Sequence, residues 1–395
     1  MRIETIEVRN FRTFKSIKMT DIPKFSVMVG ANGTGKTTLF QLFGFLKSAM
    51  KDNVRVALAQ LGGSRGFDEV RTRNSEGPIV IILQFREENK SPLITYELAV
   101  NADANGPYVE KETLRYRRGV KGQPWYFLKF ENGAGEAVTN ELETITDEKD
   151  LIREKQSLKS REILAIKGLS QFEKFQAVRM LGDLIENWHI SDFHVNKARD
   201  DSNAEYAEHL SVSGDNLSMV TEFLYKNHPD ILERICKSIE RRIPGIKNVA
   251  PVMNEEGKVL LKFHDKSFDY PFLARYVSDG TLKMFAYLIL LNDPNPHPLL
   301  CIEEPENQLY PTLLCELAEE FRSYSHRGQQ VFVSTHSPDF LNAVRLDEVF
   351  LLVKKDGYTT VQRASKNRQI KIMMEEGDKM GWLWKAGYFG EVDPS

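Results

Sequence analysis

The chain has 395 residues, 41% of them hydrophobic and 28% charged, with a formal net charge of −3. That length and apolar share allow one large core or two to three smaller ones, and the charge excludes a global polycation, so any nucleic-acid contact must come from a local basic patch. Cys236, Cys301 and Cys315 show neither metal-ligand nor disulfide-framework spacing, residues 1–20 are charged and polar, and no apolar run reaches membrane-span length, so the expectation is a soluble, cytoplasmic protein with no membrane partner.

Residues Ile3 to Val8 alternate in strand fashion, and a turn at Asp21-Ile22-Pro23 leads into a second apolar run, Phe25 to Val29. That run ends in Gly30-Ala31-Asn32-Gly33-Thr34-Gly35-Lys36-Thr37-Thr38, which contains a complete G-x-x-x-x-G-K-[ST] loop. A helix follows, opening at Thr37 and turning Leu39, Phe40, Leu42, Phe43, Phe45 and Leu46 toward a core. A glycine-rich turn that feeds a helix N-terminus aims backbone N–H groups and a positive dipole end at one point, which suits a nucleoside triphosphate. Gly30 to Thr38 are therefore the expected phosphate cradle. Lys36 is expected to reach the β- and γ-phosphates, and the Thr37 hydroxyl to coordinate Mg²⁺.

Further on, Gly62-Gly63-Ser64-Arg65-Gly66 reads as a flexible loop, followed by strands over Ile79–Phe85 and Leu93–Val100 and shorter β segments to about Phe130. From about 145 to 245 the pattern reads as helical with charged faces, over Asp147–Arg161, Glu173–Ile185, Asn216–Tyr225 and Ile231–Arg242, closed by Pro244-Gly245. A strand at Val259–Phe263, a helix from about Thr281, the run Pro298–Ile302, a helix over Thr312–Ser325 and a buried strand at Val331–Ser334 complete the chain. Alternating strands and helices thus lie at both ends, 1–100 and 251–395, around a mixed β then helical insert, 101–250. Such a pattern predicts a sheet covered by helices on both faces, with ligand at the C-terminal strand ends.

Two of those strand ends carry chemistry. The run Leu299–Ile302 exits into Glu303-Glu304-Pro305-Glu306, where carboxylates can hold Mg²⁺ and an attacking water beside a phosphate loop. Glu303 is assigned to the metal shell and Glu304 to the general base. Val331–Ser334 exits into Thr335-His336-Ser337-Pro338, which places His336 to hydrogen-bond the γ-phosphate or the water. The other seven histidines show no pairing at ligand spacing and read as structural or surface residues. Ser278-Asp279-Gly280-Thr281 precedes the helix from Thr281; it is an N-cap, and also a second helix N-terminus able to face a phosphate.

Together with Ile6 to Phe14, Ser213-Gly214-Asp215-Asn216-Leu217, the block Ile302 to Pro311 and the tail Gly381-Trp382-Leu383-Trp384, these motifs resemble the ABC-type ATPase domains of the RecF/SMC group. The resemblance is strongest to stand-alone prokaryotic AAA family ATPases with an S-D-G-T signature and an I-E-E-P-E-N block. It implies an α/β P-loop NTPase of ABC-ATPase type, with a mixed sheet and a helical/β insert. It also implies an ATP-dependent homodimer in which Ser278, Asp279 and Gly280 meet the nucleotide on the other protomer, with Glu306 to Leu309 as the D-loop and His336 as the switch histidine. A separately encoded effector or nuclease, and a role in genome maintenance or antiphage defence, come by the same analogy. Departures are Glu303 in place of the usual aspartate, Tyr310 in place of a frequent histidine, and no identifiable Q-loop glutamine among Gln60, Gln84, Gln123 and Gln171. The resemblance leaves adenine contacts open, with Arg12 or Phe14 as candidates.

Basic clusters (Arg115, Arg117, Arg118, Lys121; Arg153, Lys155, Lys159, Arg161; Arg241, Arg242) lie among the aromatics Tyr116, Trp125, Tyr126 and Phe127. They read equally as a DNA grip and as solvated faces. The alternative to a DNA-linked ATPase is a slowly hydrolysing, nucleotide-gated scaffold that recruits or restrains an effector.

Overall fold

The computed structural model describes residues 1–390 apart from 89, 119–121, 142–144, 146, 200, 201, 204 and 205, so Lys121 of the first basic cluster lies outside the described residues. Along the chain, β1 (Arg2–Phe11) and β2 (Phe14–Met19) form a hairpin, and β3 (Phe25–Val29) leads through the glycine-rich loop into α1 (Lys36–Lys51). Next come α2 (Val54–Gly62), a 3-10 turn at Gly63–Arg65 and α3 (Gly66–Val70). Five strands follow, β4 (Ile79–Arg86), β5 (Ile94–Asp103), β6 (Gly106–Tyr116), β7 (Trp125–Glu131) and β8 (Ala134–Val138), and then β9 (Arg153–Ser157). All but β3 join one antiparallel eight-stranded sheet in the order β2-β1-β4-β5-β6-β7-β8-β9, whose pairing continues past position 100 with a register shift between Ala99 and Val100.

Two expectations are corrected here. The run Gly62–Gly66 is helical, because its glycines permit close approach: a Cβ on Gly66 would sit 3.0 Å from the backbone of Leu58 and Ala59. Asp147–Arg161 is not a helix. Beyond a 3-10 turn at Glu148–Asp150, Arg153 to Ser157 pair with β8 as the sheet's edge strand, and its charged residues suit an edge that must not recruit another chain.

The middle of the chain supplies α4 (Ala165–Leu169), α5 (Gln176–Glu186), β10 (His189–Ser191), α6 (Val195–Ala198), β11 (Ser202–Asn203), α7 (Leu217–Asn227) and α8 (Pro229–Arg242). A small antiparallel sheet then forms from β11, β12 (Ile246–Met253), β13 (Lys258–Asp265) and β14 (Phe272–Leu273). After α9 (Asp279–Leu291), β15 (Leu299–Glu303), α10 (Pro311–His326), β16 (Gln330–Thr335), α11 (Pro338–Leu341), β17 (Val349–Lys355), β18 (Tyr358–Arg363), α12 (Arg368–Glu375) and α13 (Met380–Lys385) complete the body. Its central sheet has the order β10-β15-β16-β3-β17-β18, parallel except for the last pair.

Helix α1 is buried between the two large sheets, which explains its wide apolar face. Phe45 packs toward Phe11 of β1 with ring centres 6.2 Å apart, while Phe43 stacks on Phe332 of β16 at 5.4 Å. On the other face of the central sheet, α9 is buried on all sides from Thr281 to Leu291, as its unbroken apolar run requires. Phe321 of α10 lies between Tyr287 and Phe25 there. Strands β15, β16 and β3 are therefore held from both faces, and their C-terminal ends share one edge. Among the described residues no helix is long and apolar enough to cross a membrane.

Candidate functional site

The loop between β3 and α1 has the conformation that its glycines allow. Gly33 and Gly35 take φ of 77° and 103°, and a Cβ on Gly30 would meet the Leu352 carbonyl at 2.5 Å. Thr34 closes the turn by donating to the Ala31 carbonyl. The Thr359 hydroxyl of β18 donates to the Thr34 carbonyl at 2.7 Å and lies 2.8 Å from the Thr13 hydroxyl. Two distant segments therefore brace the loop from behind. Helix α1 starts with no side-chain cap and no acidic residue in its first turn, so its N–H groups are left for an anion. Asn32 and Gly33 are exposed and Thr38 is buried.

Lys36 folds back into the loop, donating to the carbonyls of Gly30 at 2.7 Å and Ala31 at 3.2 Å. Burial lowers its pKa, against the pull of Glu304, Glu303 and Glu306. Thr37 is hydrogen-bonded to Glu303, the last residue of β15. Burial raises the Glu303 pKa, with Glu304 and Asp192 adding to the rise and Thr37 and Lys36 opposing it. A partly buried carboxylate among other carboxylates, bonded to a hydroxyl, is a hard-oxygen donor set that fits Mg²⁺.

Glu304 sits at a backbone φ of 43°, a left-handed position rare for a glutamate, held by its N–H donating to the Ser334 carbonyl at 2.9 Å. That turn sends its carboxylate toward His336, whose Nδ1 lies 3.1 Å away, while Asn307 donates to the other oxygen at 3.1 Å. Glu306 reaches across from the next turn and accepts from the Thr335 hydroxyl and the His336 N–H. Behind the histidine turn, α13 seats Gly381 so tightly that a Cβ would lie 2.0 Å from the Pro338 carbonyl. The motif Gly381-Trp382-Leu383-Trp384 thus backs the loop that carries His336.

Ser278 caps α9, accepting from the Thr281 N–H, and Asp279 is ion-paired with Arg199. Gly280 is required by the neighbouring turn, since a Cβ would lie 2.8 Å from the Gln308 carbonyl. Lys283, one turn on, donates to the Asn307 carbonyl at 2.8 Å and ties α9 to the turn after Glu304. Among the described residues, no hydrogen bond from Ser278, Asp279 or Gly280 reaches residues 30–38 of the same chain.

The sequence reading missed Asp192. It follows β10, the edge strand parallel to β15, and acts on Glu303. None of Gln60, Gln84, Gln123 or Gln171 ends a strand of the central sheet. The available signal was the short run His189-Ile190-Ser191 followed by an acid, and the Ser213–Leu217 motif explains its placement. Asp192 N–H donates to the Val212 carbonyl and His194 N–H to that of Ser213, while Gly214 leaves room for the Phe193 ring. Of the two adenine candidates, Arg12 donates to the Leu61 carbonyl and Phe14 is buried against Gly35.

Three arginines of the insert's basic clusters are ion-paired within the chain. Arg153 meets Glu136 and Glu148, Arg161 meets Asp103, and Arg242 meets Glu316 and Glu320. Tyr116 and Phe127 stack with centres 4.0 Å apart inside the core.

A family model described as "AAA domain, putative AbiEii toxin, Type IV TA system" matches residues 25–342. No curated protein matches the chain. Among solved structures, the chain is similar to one titled "Crystal structure of the SmcHead bound to the C-winged helix domain of ScpA", at 14% identity and TM-score 0.58, covering 94% of this chain and 100% of that one. A second is titled "Crystal structure of the Smc head domain with an extended coiled coil bound to the C-terminal domain of ScpA derived from Pyrococcus furiosus", at 12% identity and TM-score 0.55, covering 95% and 99%. At these identities the likeness is one of fold.

Proposed function

We propose, from the premise that this chain belongs to the AAA-domain family just described and is an SMC- and RecF-like AAA ATPase, that it hydrolyses ATP with Mg²⁺ between two copies of itself. The observation that carries the reading is the meeting, at the C-terminal ends of β3, β15 and β16, of Lys36, Thr37, Glu303, Glu304 and His336. Amides of Gly30 to Thr38 would hold the phosphates, and Lys36 would leave its two carbonyl partners for the γ-phosphate. Thr37 and Glu303 would hold Mg²⁺, which supplies charge neutralisation on the phosphates. Glu304 Oε1 would accept the proton of the attacking water, with His336 Nδ1 orienting that carboxylate. Ser278, Asp279 and Gly280 would complete the partner copy's site; among the described residues, their hydrogen bonds do not reach their own loop. The ATPase body would combine 1–100 and 251–395, with 101–250 as an insert that returns β10 to the edge of the central sheet.

The family description names a putative toxin of a type IV toxin–antitoxin system; a defence role exercised through a separately encoded effector is our reading by analogy. The ion pairs of Arg153, Arg161 and Arg242 within the chain favour a second reading, in which hydrolysis is slow and the ATP-bound form recruits or restrains that effector without gripping DNA. Turnover with and without DNA separates them.

The assignment of roles is tested with Glu304→Gln and Lys36→Ala. Glu304→Gln is expected to bind ATP normally while turnover falls about 10²- to 10⁴-fold. Lys36→Ala is expected to weaken ATP binding by about two orders of magnitude. A Glu304→Gln protein that turns over at the parent rate overturns the general-base assignment.

A further inference from the structure

A cluster unconnected with the nucleotide site lies at the opposite, N-terminal end of the central strands. His209, Asp293 and His297 each bring one donor atom into a group within 4.8 Å of one another. His209 Nδ1 is 2.6 Å from Asp293 Oδ2, and the aspartate side chain is only 3% exposed. Its other oxygen accepts from the Asn295 N–H at 2.8 Å, which fixes the carboxylate. His297 Nδ1 is 3.1 Å from the Asn187 carbonyl, which leaves Nε2 as the ring's acceptor, and that atom is buried with no partner. A third imidazole, His189, is 4% exposed, its ring centre lies 4.9 Å from that of His297, and its Nε2 is likewise buried without a partner. Buried ring nitrogens without partners are costly, and that of His297, beside the Asp293 carboxylate, calls for something that accepts its lone pair.

We propose that His209, Asp293 and His297 bind a single divalent transition-metal ion, with zinc the best fit, and that His189 lies beside the ion as a reserve fourth ligand. Imidazole nitrogens with one carboxylate suit Zn²⁺, and the Asn187 carbonyl on His297 Nδ1 is the outer partner that holds a ligating ring in its tautomer. Donors around tetrahedral zinc stand about 3.3 Å apart for bonds near 2.0 Å. The half-exposed His209 ring has the freedom to adjust to that spacing, because it faces the open cleft lined by Asp183, Asn187 and Pro296. Lys47, the cation that acts on His189 and His297, donates to the Trp188 carbonyl and is tied off.

The ion would join three segments: the entry to β10, the segment carrying His209, and the loop between α9 and β15. Asp293 follows α9 by two residues, so the helix that presents Ser278 at one end would be pinned at the other. The nucleotide site lies roughly 13 Å along β15, so the two sites are separate. This inference stands whether or not the ATPase reading does. It also replaces the sequence reading that the remaining histidines show no ligand pairing.

The test uses untagged full-length chain, stripped with chelator and titrated with ZnCl₂ without nucleotide. To silence the all-oxygen Thr37–Glu303 site, the same titration is run on a Glu303→Gln background. We expect one equivalent of zinc per chain and a melting temperature raised by about 5 °C on binding. His209→Gln and Asp293→Asn should each weaken zinc binding at least about tenfold. His209→Gln is the safer variant, since its side chain is partly in solvent. CoCl₂ in place of zinc should give the visible absorption of nitrogen-ligated, low-coordinate cobalt, and lose it in both variants. Zinc uptake that is absent from the parent, or equal in the parent and the His209→Gln and Asp293→Asn proteins, overturns the proposal.

Discussion

At the scale of single residues, the site places several like-charged groups together and relies on buried lysines to hold them. Lys36 was legible from its motif, but Lys283 was not, because a lysine inside an apolar helix reads as a surface residue until its partner is known. It is 5% exposed, and burial lowers its pKa from 10.5 to about 8, opposed by Glu306 and Glu304. Below about pH 8 both folded and unfolded chains carry the proton, so the burial cost is fully present. Between pH 8 and 10.5 the unfolded chain holds more of it, and that cost is relieved as pH rises. Parent stability relative to Lys283→Met should therefore rise over that interval by up to about 3 kcal/mol. Urea unfolding of both proteins at three pH values measures it; a flat difference would mean that Lys283 is solvated. The Glu304 backbone was equally hidden: Glu303-Glu304 is readable as a pair, but not the left-handed turn that directs the second carboxylate to His336.

Elements were readable where period and punctuation agreed. Strand β3, the loop and α1 fell within a residue of the expected bounds, since glycines, an apolar strand and a 3.6-residue apolar face all point one way. Where the signals conflicted, the sequence misled: glycines that permit helix contact imitated a loop, and a charged edge strand imitated a helical face. The joins between sheet and helices were out of reach, because they rest on buried glutamates far away in sequence. Glu112 of β6 accepts from the N–H groups of Ala165 and Ile166 at the start of α4 and from the Tyr96 hydroxyl, and Glu141 does the same for α5 through Ala177 N–H and the Tyr116 hydroxyl. Replacing Glu112 with Leu would leave three buried donors without an acceptor, at a cost of about 3 kcal/mol or more. Glu112→Gln keeps one accepting oxygen and should lose clearly less. Equal denaturation midpoints for the two variants would show that α4 does not depend on this bond.

At the scale of the whole molecule, the reading turns on whether each nucleotide meets two chains. The phosphate loop and the signature serine sit on different layers of one protomer, the loop between the large sheets and Ser278 at the start of a helix on the far face of the central sheet. If both contacts are made across a two-fold axis, a Lys36→Ala protomer and a Ser278→Arg protomer are each inactive alone but complementary in a mixed dimer. In that dimer one site loses both contacts and the other keeps both. Random pairing of equal amounts makes about half of all dimers mixed, each with one working site, so the mixture should recover about a quarter of parent turnover. Should Ser278 serve its own chain, each mixed dimer has two singly damaged sites and nothing is regained. The two variants are therefore mixed before ATP is added, so that pairs form from both chains; a dimer that binds ATP in preference to the monomer would then be held together by it. Turnover that rises on mixing above either variant alone therefore identifies the shared site, and a mixture no faster than its components assigns catalysis to the single chain.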